Sequence, residues 1–247
     1  MNQMLNKKVV AIGFGLMILF CSCGENTRMK TISELAYNRT GAIDCVYILE
    51  NDDYVPFLIL TEDYGGNTLL VRHDVLDEPR AISDYSSYYG SSEIDSYLND
   101  EYIDCLPDIS RQIVISNIEI TNEDALGKSE ISTETIDRKI FLLSCNEVGI
   151  KDSVNIAEEG DELEYFKNPE QRVVYMNGEA YSWWLRTPNT YFLSCTYVLG
   201  DNNKIGYTNS YDINGIRPAF CVDGDTPIEL TSEIKDGESV YVFSLKK

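Results

Sequence analysis

Trp183-Trp184-Leu185-Arg186-Thr187-Pro188, followed about thirty residues later by Gly215-Ile216-Arg217-Pro218-Ala219-Phe220, is the stretch on which the fold of this chain turns. Alternate residues of an extended segment face opposite sides. Trp183 and Leu185 then share one face, and Trp184 and Arg186 the other. Each arginine sits beside a proline or one residue from it. A planar guanidinium carries five donors and can tie several loop carbonyls together. The expectation is that Trp183, Arg186 and Arg217 staple long loops to a core. A second expectation is that Trp184 and Arg186, with Tyr207 and Tyr211 and the neighbouring Tyr191 and Tyr197, form a surface that binds a sugar or a peptide.

Between the two motifs, Tyr191 to Leu199 and Lys204 to Thr208 read as a hairpin across Gly200-Asp201-Asn202-Asn203. Upstream, Asp44 to Leu49 and Tyr54 to Leu60 are strand-like runs separated by a turn at Glu50-Asn51-Asp52-Asp53. Gly65-Gly66-Asn67 is a further turn before Thr68 to Arg72. Ile113 to Ile120, Lys139 to Ser144, Ile216 to Val222 and Glu238 to Leu245 complete the expected strands. One helix is expected from Ser92 to Cys105, capped by Ser91 or Ser92 and stopped by Pro107. Ile94, Tyr97, Leu98, Tyr102 and Cys105 form its apolar stripe, with Asp95, Asn99, Asp100 and Asp104 opposite. Thr121 to Asp137 and the acidic Ser153 to Asn168 read as loop excursions. The class is α+β: one compact domain of antiparallel strands with one main amphipathic helix and long loops.

The amino terminus carries a different signal. Lys7 and Lys8 precede an apolar run from Val9 to Phe20, too short to span a bilayer comfortably, and then Cys21-Ser22-Cys23-Gly24. That pattern resembles a bacterial lipoprotein signal. It implies cleavage after Ser22, lipid on Cys23, and a domain held at the extracytoplasmic face of a cell membrane. The expected partition is a signal over residues 1–22, a tether over 23–40 with room for one helical turn around Ile32 to Tyr37, and the domain over 41–247.

The chain has a formal charge of -21 over 247 residues. Removing residues 1–22 takes away two lysines and no acid, which moves the charge to -23. Such a surface repels nucleic acid. Of the seven cysteines, Cys45, Cys105, Cys145, Cys195 and Cys221 fall in the domain. None forms a CxxC pair and there is one histidine, so the residues name no zinc site and no other cofactor. A bridge between Cys195 and Cys221 would suit an exported protein. Asp201, Asn202, Asn203, Asp212 and Asn214 offer oxygens for calcium, but Gly-Asp-Asn-Asn is first a hairpin turn. His73-Asp74 reads as a loop-edge pair, since nothing in sequence completes a catalytic triad around it.

The WWLRTP and GIRPAF motifs resemble the WWLRSP-like and GVRPAF-like stretches of the bacterial family named domain of unknown function 6273. Tyr97-Leu98-Asn99 is similar to its W-L-N helix, and Asp137 to Ser144, followed by Glu147, to its D-x-x-F-L-L-S strand. The resemblance spans about Asp44 to Val222. It implies an irregular C-type-lectin-like core with a long loop region. It implies no activity; Cys195 and Cys221 do not fall in the active-site pattern of the related formylglycine-generating enzymes. The function expected is a non-catalytic, membrane-anchored binding module for a glycan, a peptide or an envelope protein. The alternative is an envelope enzyme acting on glycans or peptides.

Overall fold

The computed structural model of the chain describes residues 30–35, 45–128, 130–151, 155–191, 194–198, 204–235 and 237–244. Cys23 and most of the expected tether lie outside the described residues. The strands run in chain order as β1 (Lys30–Thr31), β2 (Cys45–Glu50), β3 (Asp53–Tyr64), β4 (Asn67–Arg72), β5 (Ile113–Val114), β6 (Ser116–Thr121), β7 (Thr133–Arg138) and β8 (Ile140–Phe141). They continue as β9 (Val174–Met176), β10 (Glu179–Tyr181), β11 (Trp183–Asn189), β12 (Ser194–Val198), β13 (Ile205–Thr208), β14 (Ala219–Val222), β15 (Pro227–Lys235) and β16 (Glu238–Phe243). A nine-stranded sheet has the order β1-β15-β16-β2-β3-β4-β14-β5, and β8 also pairs with β14. All of its pairings are antiparallel except that of β16 with β2. The smaller sheets are β6-β7, β9-β10 and β11-β12-β13. The molecule is therefore a sheet-rich single domain with, among the described residues, one α-helix and several short 3-10 turns, compatible with the α+β class.

Local chemistry explains the hairpins. Asn51 and Asp52 have φ of 49° and 72°, and Glu50 pairs with Asp53. Two left-handed residues in a two-residue loop match the twist of the flanking strands, and Asn and Asp tolerate that conformation. Gly65 and Gly66 repeat the device between Tyr64 and Asn67, with φ of 60° and 84°.

The expected helix starts where sequence places it. The Ser92 hydroxyl accepts from the Asp95 N–H at 3.2 Å, which satisfies one orphan donor of the first turn. α1 (Glu93–Ser96) then loosens to π geometry over Tyr97–Glu101 and tightens to 3-10 geometry over Tyr102–Cys105. Ile94, Leu98 and Tyr102 are buried, as the stripe requires, while Tyr97 and Cys105 are half-buried. Asp95 departs from the expected polar face: it is buried, with the Arg138 Nε 2.7 Å and 2.8 Å from its two oxygens.

Asn99, within the π segment, behaves as a strand partner. Its Nδ2 donates to the Ile140 carbonyl at 2.9 Å, and its Oδ1 accepts from the Ile140 N–H at 3.1 Å and the Lys139 N–H at 3.2 Å. One side-chain amide thus satisfies the edge of β8, where backbone polar groups need partners.

Three segments depart from the sequence expectation. Thr121 to Asp137 contains β7, which pairs with β6 through six residues from Ser116↔Arg138 to Thr121↔Thr133. Asp137 faces out, while Glu134 shares the half-buried face of Ile136, which packs against the core. β15 was not expected as a strand, because Glu229, Ser232, Glu233 and Lys235 mask its alternation. Lys30 to Leu35, read from sequence as tether, instead join the domain: β1 pairs with β15, and Ile32 and Leu35 enter the core.

Removing the Asn99 amide should be costly, since a buried unpaired polar group loses about 1–3 kcal/mol. Asn99→Leu is expected to lower unfolding stability in urea by about 2–4 kcal/mol. A midpoint equal to that of the parent would show that β8 does not need this partner.

Candidate functional site

Every residue of β11 is buried, from Trp183 to Asn189. It therefore carries both expected site residues into the interior. Trp184 is fully buried and its Nε1 donates to the Arg80 carbonyl at 2.7 Å. Trp183 is fully buried too, with its Nε1 on the Arg172 carbonyl at 3.0 Å. The expectation that Trp184 and Arg186 meet a ligand is corrected by this placement: neither the ring nor the guanidinium reaches solvent.

Arg186 instead centres a closed polar network. Its Nη1 and Nη2 grip Glu147 at 2.7 Å and 2.9 Å. Nη1 also donates to the Leu142 carbonyl at 2.8 Å, and Nε to the Glu119 carbonyl at 2.9 Å. Glu147 further accepts from the Tyr64 hydroxyl at 2.6 Å and the Ser144 N–H at 2.8 Å. A second carboxylate, Glu159, lies 3.6 Å from the Arg186 Nε. It accepts from the Thr121 N–H and hydroxyl at 2.6 Å each and from the Thr187 hydroxyl at 2.7 Å. The network thus joins β3, β6 and β11 to the segments after β8 and around residue 159.

Electrostatics follow from this packing. Burial alone would lower the Arg186 guanidinium; Glu147 outweighs it, with help from Tyr64 and Glu159, and the group is held well above its ordinary value. Desolvation, then Glu147, pushes the Tyr64 phenol up. Desolvation also raises Glu159, against the pull of Arg186 and the two threonines. One guanidinium therefore faces two carboxyls, and burial makes Glu159 resist ionising.

Gly160 makes the geometry work. Its φ is 69°, and a Cβ there would sit 2.8 Å from Glu147 Oε1. Sequence reading missed Glu159, because Glu158-Glu159-Gly160-Asp161-Glu162 has the composition of a solvated acidic run. The glycine inside that run is the one signal that the backbone makes a close approach there.

Arg217 is buried without a carboxylate against it. Its Nε donates to the Arg72 carbonyl at 2.8 Å and its Nη2 to the His73 carbonyl at 3.0 Å. The guanidinium lies 5.1 Å from the Trp183 ring and 5.9 Å from that of Phe166, within cation–π range. Desolvation lowers it to about 10. Arg72, next to it in the fold, is matched by Glu50 at 3.0 Å.

The remaining expected residues separate from this interior. Tyr207 and Tyr211 are 53% and 59% exposed, Tyr191 is 68% exposed, and Ile213, in the same stretch, is 57% exposed. The side chain of Tyr197 and residues Asp201 to Asn203 lie outside what the structure describes. Asp212 is engaged by the Asn209 N–H at 3.2 Å and by the Thr208 hydroxyl, and Asn214 accepts from the Ser182 hydroxyl at 2.5 Å. Among the described residues, no group of acids, histidines or cysteines is placed to hold a metal ion. Cys221 is a buried free thiol, not bridged to Cys195, and burial pushes it up to about 12. His73 Nδ1 lies 3.0 Å from Asp74 Oδ2 at an exposed edge.

An acidic groove of about 850 Å³ opens beside the network, lined by Glu62, Asp63, Glu119, Asp161, Glu162 and Glu164 with Tyr64 and Asn117. Glu162 there is lowered, first by its bond to Lys151. The two carboxyls that burial raises, Glu159 and Asp95, lie outside this groove.

The raised Glu159 gives a signed pH dependence. Its unfolded-state value is near 4.5, so the folded chain keeps a proton that the unfolded chain loses above that pH. The stability it contributes is complete below about 4.5 and lost as pH rises through the folded-state value. Glu159→Gln, which keeps an acceptor for Thr121, should flatten this fall over the range above pH 4.5 in which it occurs. Parallel melting curves in parent and variant across that window would contradict the assignment.

The model of the family described as Domain of unknown function (DUF6273) matches residues 65–224. No curated protein and no solved structure matches the chain. The matched region takes in Asn99, Glu147, Glu159, all of β11 and Arg217, and leaves out Tyr64 and Glu50. The chain belongs to the DUF6273 family.

Proposed function

We propose that this chain is a lipid-anchored, extracytoplasmic binding module without catalytic activity, built on a C-type-lectin-like variant of the α+β plan. It contacts a glycan, a peptide or an envelope protein. Lipid on Cys23 supplies the address, following the motif at residues 20–23. The anchor in this reading is the acyl chains, each buried methylene adding about 0.8 kcal/mol.

The observation that carries the binding role is the concentration of exposed apolar surface in one stretch. Tyr191, Tyr207, Tyr211 and Ile213 all lie exposed within or beside the β11-β12-β13 sheet. Tyrosine rings offer a rigid apolar face with a polar tip, which suits stacking on sugars or on apolar side chains. The strongly shifted ionisable groups, by contrast, are occupied in holding the interior together.

The acidic groove favours one second reading, an enzyme acting on glycans, since hydrolysis of a glycosidic bond uses two placed carboxyls. A screen of the detergent-solubilised chain against glycans, peptidoglycan fragments and peptides separates the two. Binding that falls about tenfold in Tyr207→Ala/Tyr211→Ala, a loss of about 1.4 kcal/mol, with the compound recovered unchanged, is the expected result. Conversion of any compound over time would give the groove the function instead. Fatty-acid labelling that persists in Cys23→Ser would remove the anchor from the proposal.

A further inference from the structure

Among the described residues, the outer side of β15 is covered only at its start. β1 pairs with it through Lys30↔Ile228 and Thr31↔Pro227, and no other described strand lies beyond. Thr226 directs its carbonyl to the β1 side, accepting from the Ile32 N–H, while Pro227 directs its own to the β16 side, accepting from the Ser244 N–H. Alternation along the strand then aims the backbone groups of Leu230 outward, and beyond it Thr231 and Lys235 both pair with β16 on either side of a register shift that frees Ser232. The segment Glu229 to Lys235 is mostly exposed, and Leu230 is 57% exposed. An uncovered edge of this kind is a template for another strand.

The sequence of that edge is self-complementary. Reading Glu229-Leu230-Thr231-Ser232-Glu233-Ile234-Lys235 against itself in antiparallel register, centred on Ser232, sets Glu229 opposite Lys235 and Leu230 opposite Ile234. Thr231 then meets Glu233, and Ser232 meets Ser232. No like charges face each other, and the apolar pair shares a face with Ser232. A two-fold interface demands this property, because whenever one residue contacts another the reverse contact must also be made. Opposite charges and apolar pairs directly across two strands each contribute. We infer that β15 pairs antiparallel with β15 of a second copy of the chain, centred on Ser232, and joins the two nine-stranded sheets edge to edge.

A bulge between Thr231 and Lys235 shifts the register with β16. Bulges often guard an edge by twisting it. Inside this bulge the Thr231 hydroxyl accepts from the Glu233 N–H at 3.3 Å, and the shift leaves the centre of the proposed pairing least committed to β16. Edges this short bury far less than the roughly 1,600 Å² of a standard interface, so the pairing is concentration-dependent and best captured covalently.

The full-length chain is oxidised mildly with cysteine placed at one exposed position, and dimer is read on a non-reducing gel beside the parent, which reports the native thiols. Directly opposed hydrogen-bonded residues have Cα atoms about 5.5 Å apart, within disulfide reach. Ser232→Cys is expected to give several-fold more dimer than Glu229→Cys, whose yield recovers when it is mixed with Lys235→Cys. Adding Lys235→Glu to Ser232→Cys should abolish the cross-link, and adding Glu229→Lys to that variant should restore it. Equal yields at 229 and 232, no dimer above the parent, or indifference to the charge swap would overturn the pairing. So would capture of the Ser232→Cys thiol by a cysteine placed among residues 24–29, which would assign the edge to the chain's own upstream stretch.

Discussion

The bidentate pair between Arg186 and Glu147 is the constraint on which the rest of this fold depends. Both side chains are fully buried, and isolated charges in such surroundings would cost several kcal/mol each. The pair is tolerable only because its remaining donors and acceptors are also met. Tyr64, Ser144 and the carbonyls of Leu142 and Glu119 meet them. Those partners come from three stretches of chain, so satisfying the charge fixes how the stretches lie relative to β11. The specificity of the loops is therefore electrostatic in origin, while the driving force comes from the apolar residues packed around them.

Arg217 repeats the logic with a different counterweight. It is held by backbone carbonyls and by the faces of Trp183 and Phe166, not by a carboxylate. Arg72 repeats it with Glu50, to which Tyr102 also donates at 2.5 Å. Tyr102 brings the end of the helical segment against β2, and Asn99 brings its middle against β8. Polar side chains thus perform at four places the joining work that regular secondary structure performs elsewhere. A chain with short strands and long connections needs such joins, since a large share of its backbone is not paired in ladders.

What could be read in the sequence was local. Asn51-Asp52 and Gly65-Gly66 announce their hairpins because the turn conformations demand those residue types, and Ser92 announces the helix because a cap is a contact three residues away. The meaning of Trp184 and Arg186 was not local. Alternation placed them on one face of a strand but could not say that β11 would have both faces covered. Glu159 and Asp95 were hidden for the same reason: an acid in an acidic run reads as solvated until the arginine that holds it is known. β7 and β15 were obscured by exposed acids that break the apolar alternation. The exposed tyrosines were legible as candidates from their density, and only the packing separated Tyr207 and Tyr211 from the buried rings of Tyr89 and Tyr102.

A double-mutant cycle across Arg186→Met and Glu147→Leu, followed by equilibrium unfolding, tests the central claim most directly. Removing one partner of a buried ion pair strands the other and costs about 3–5 kcal/mol. The account predicts that each single variant loses stability of that order, and that the double variant loses clearly less than the sum of the two. Additive losses, or singles within about 0.5 kcal/mol of the parent, would contradict the claim that this pair organises the fold.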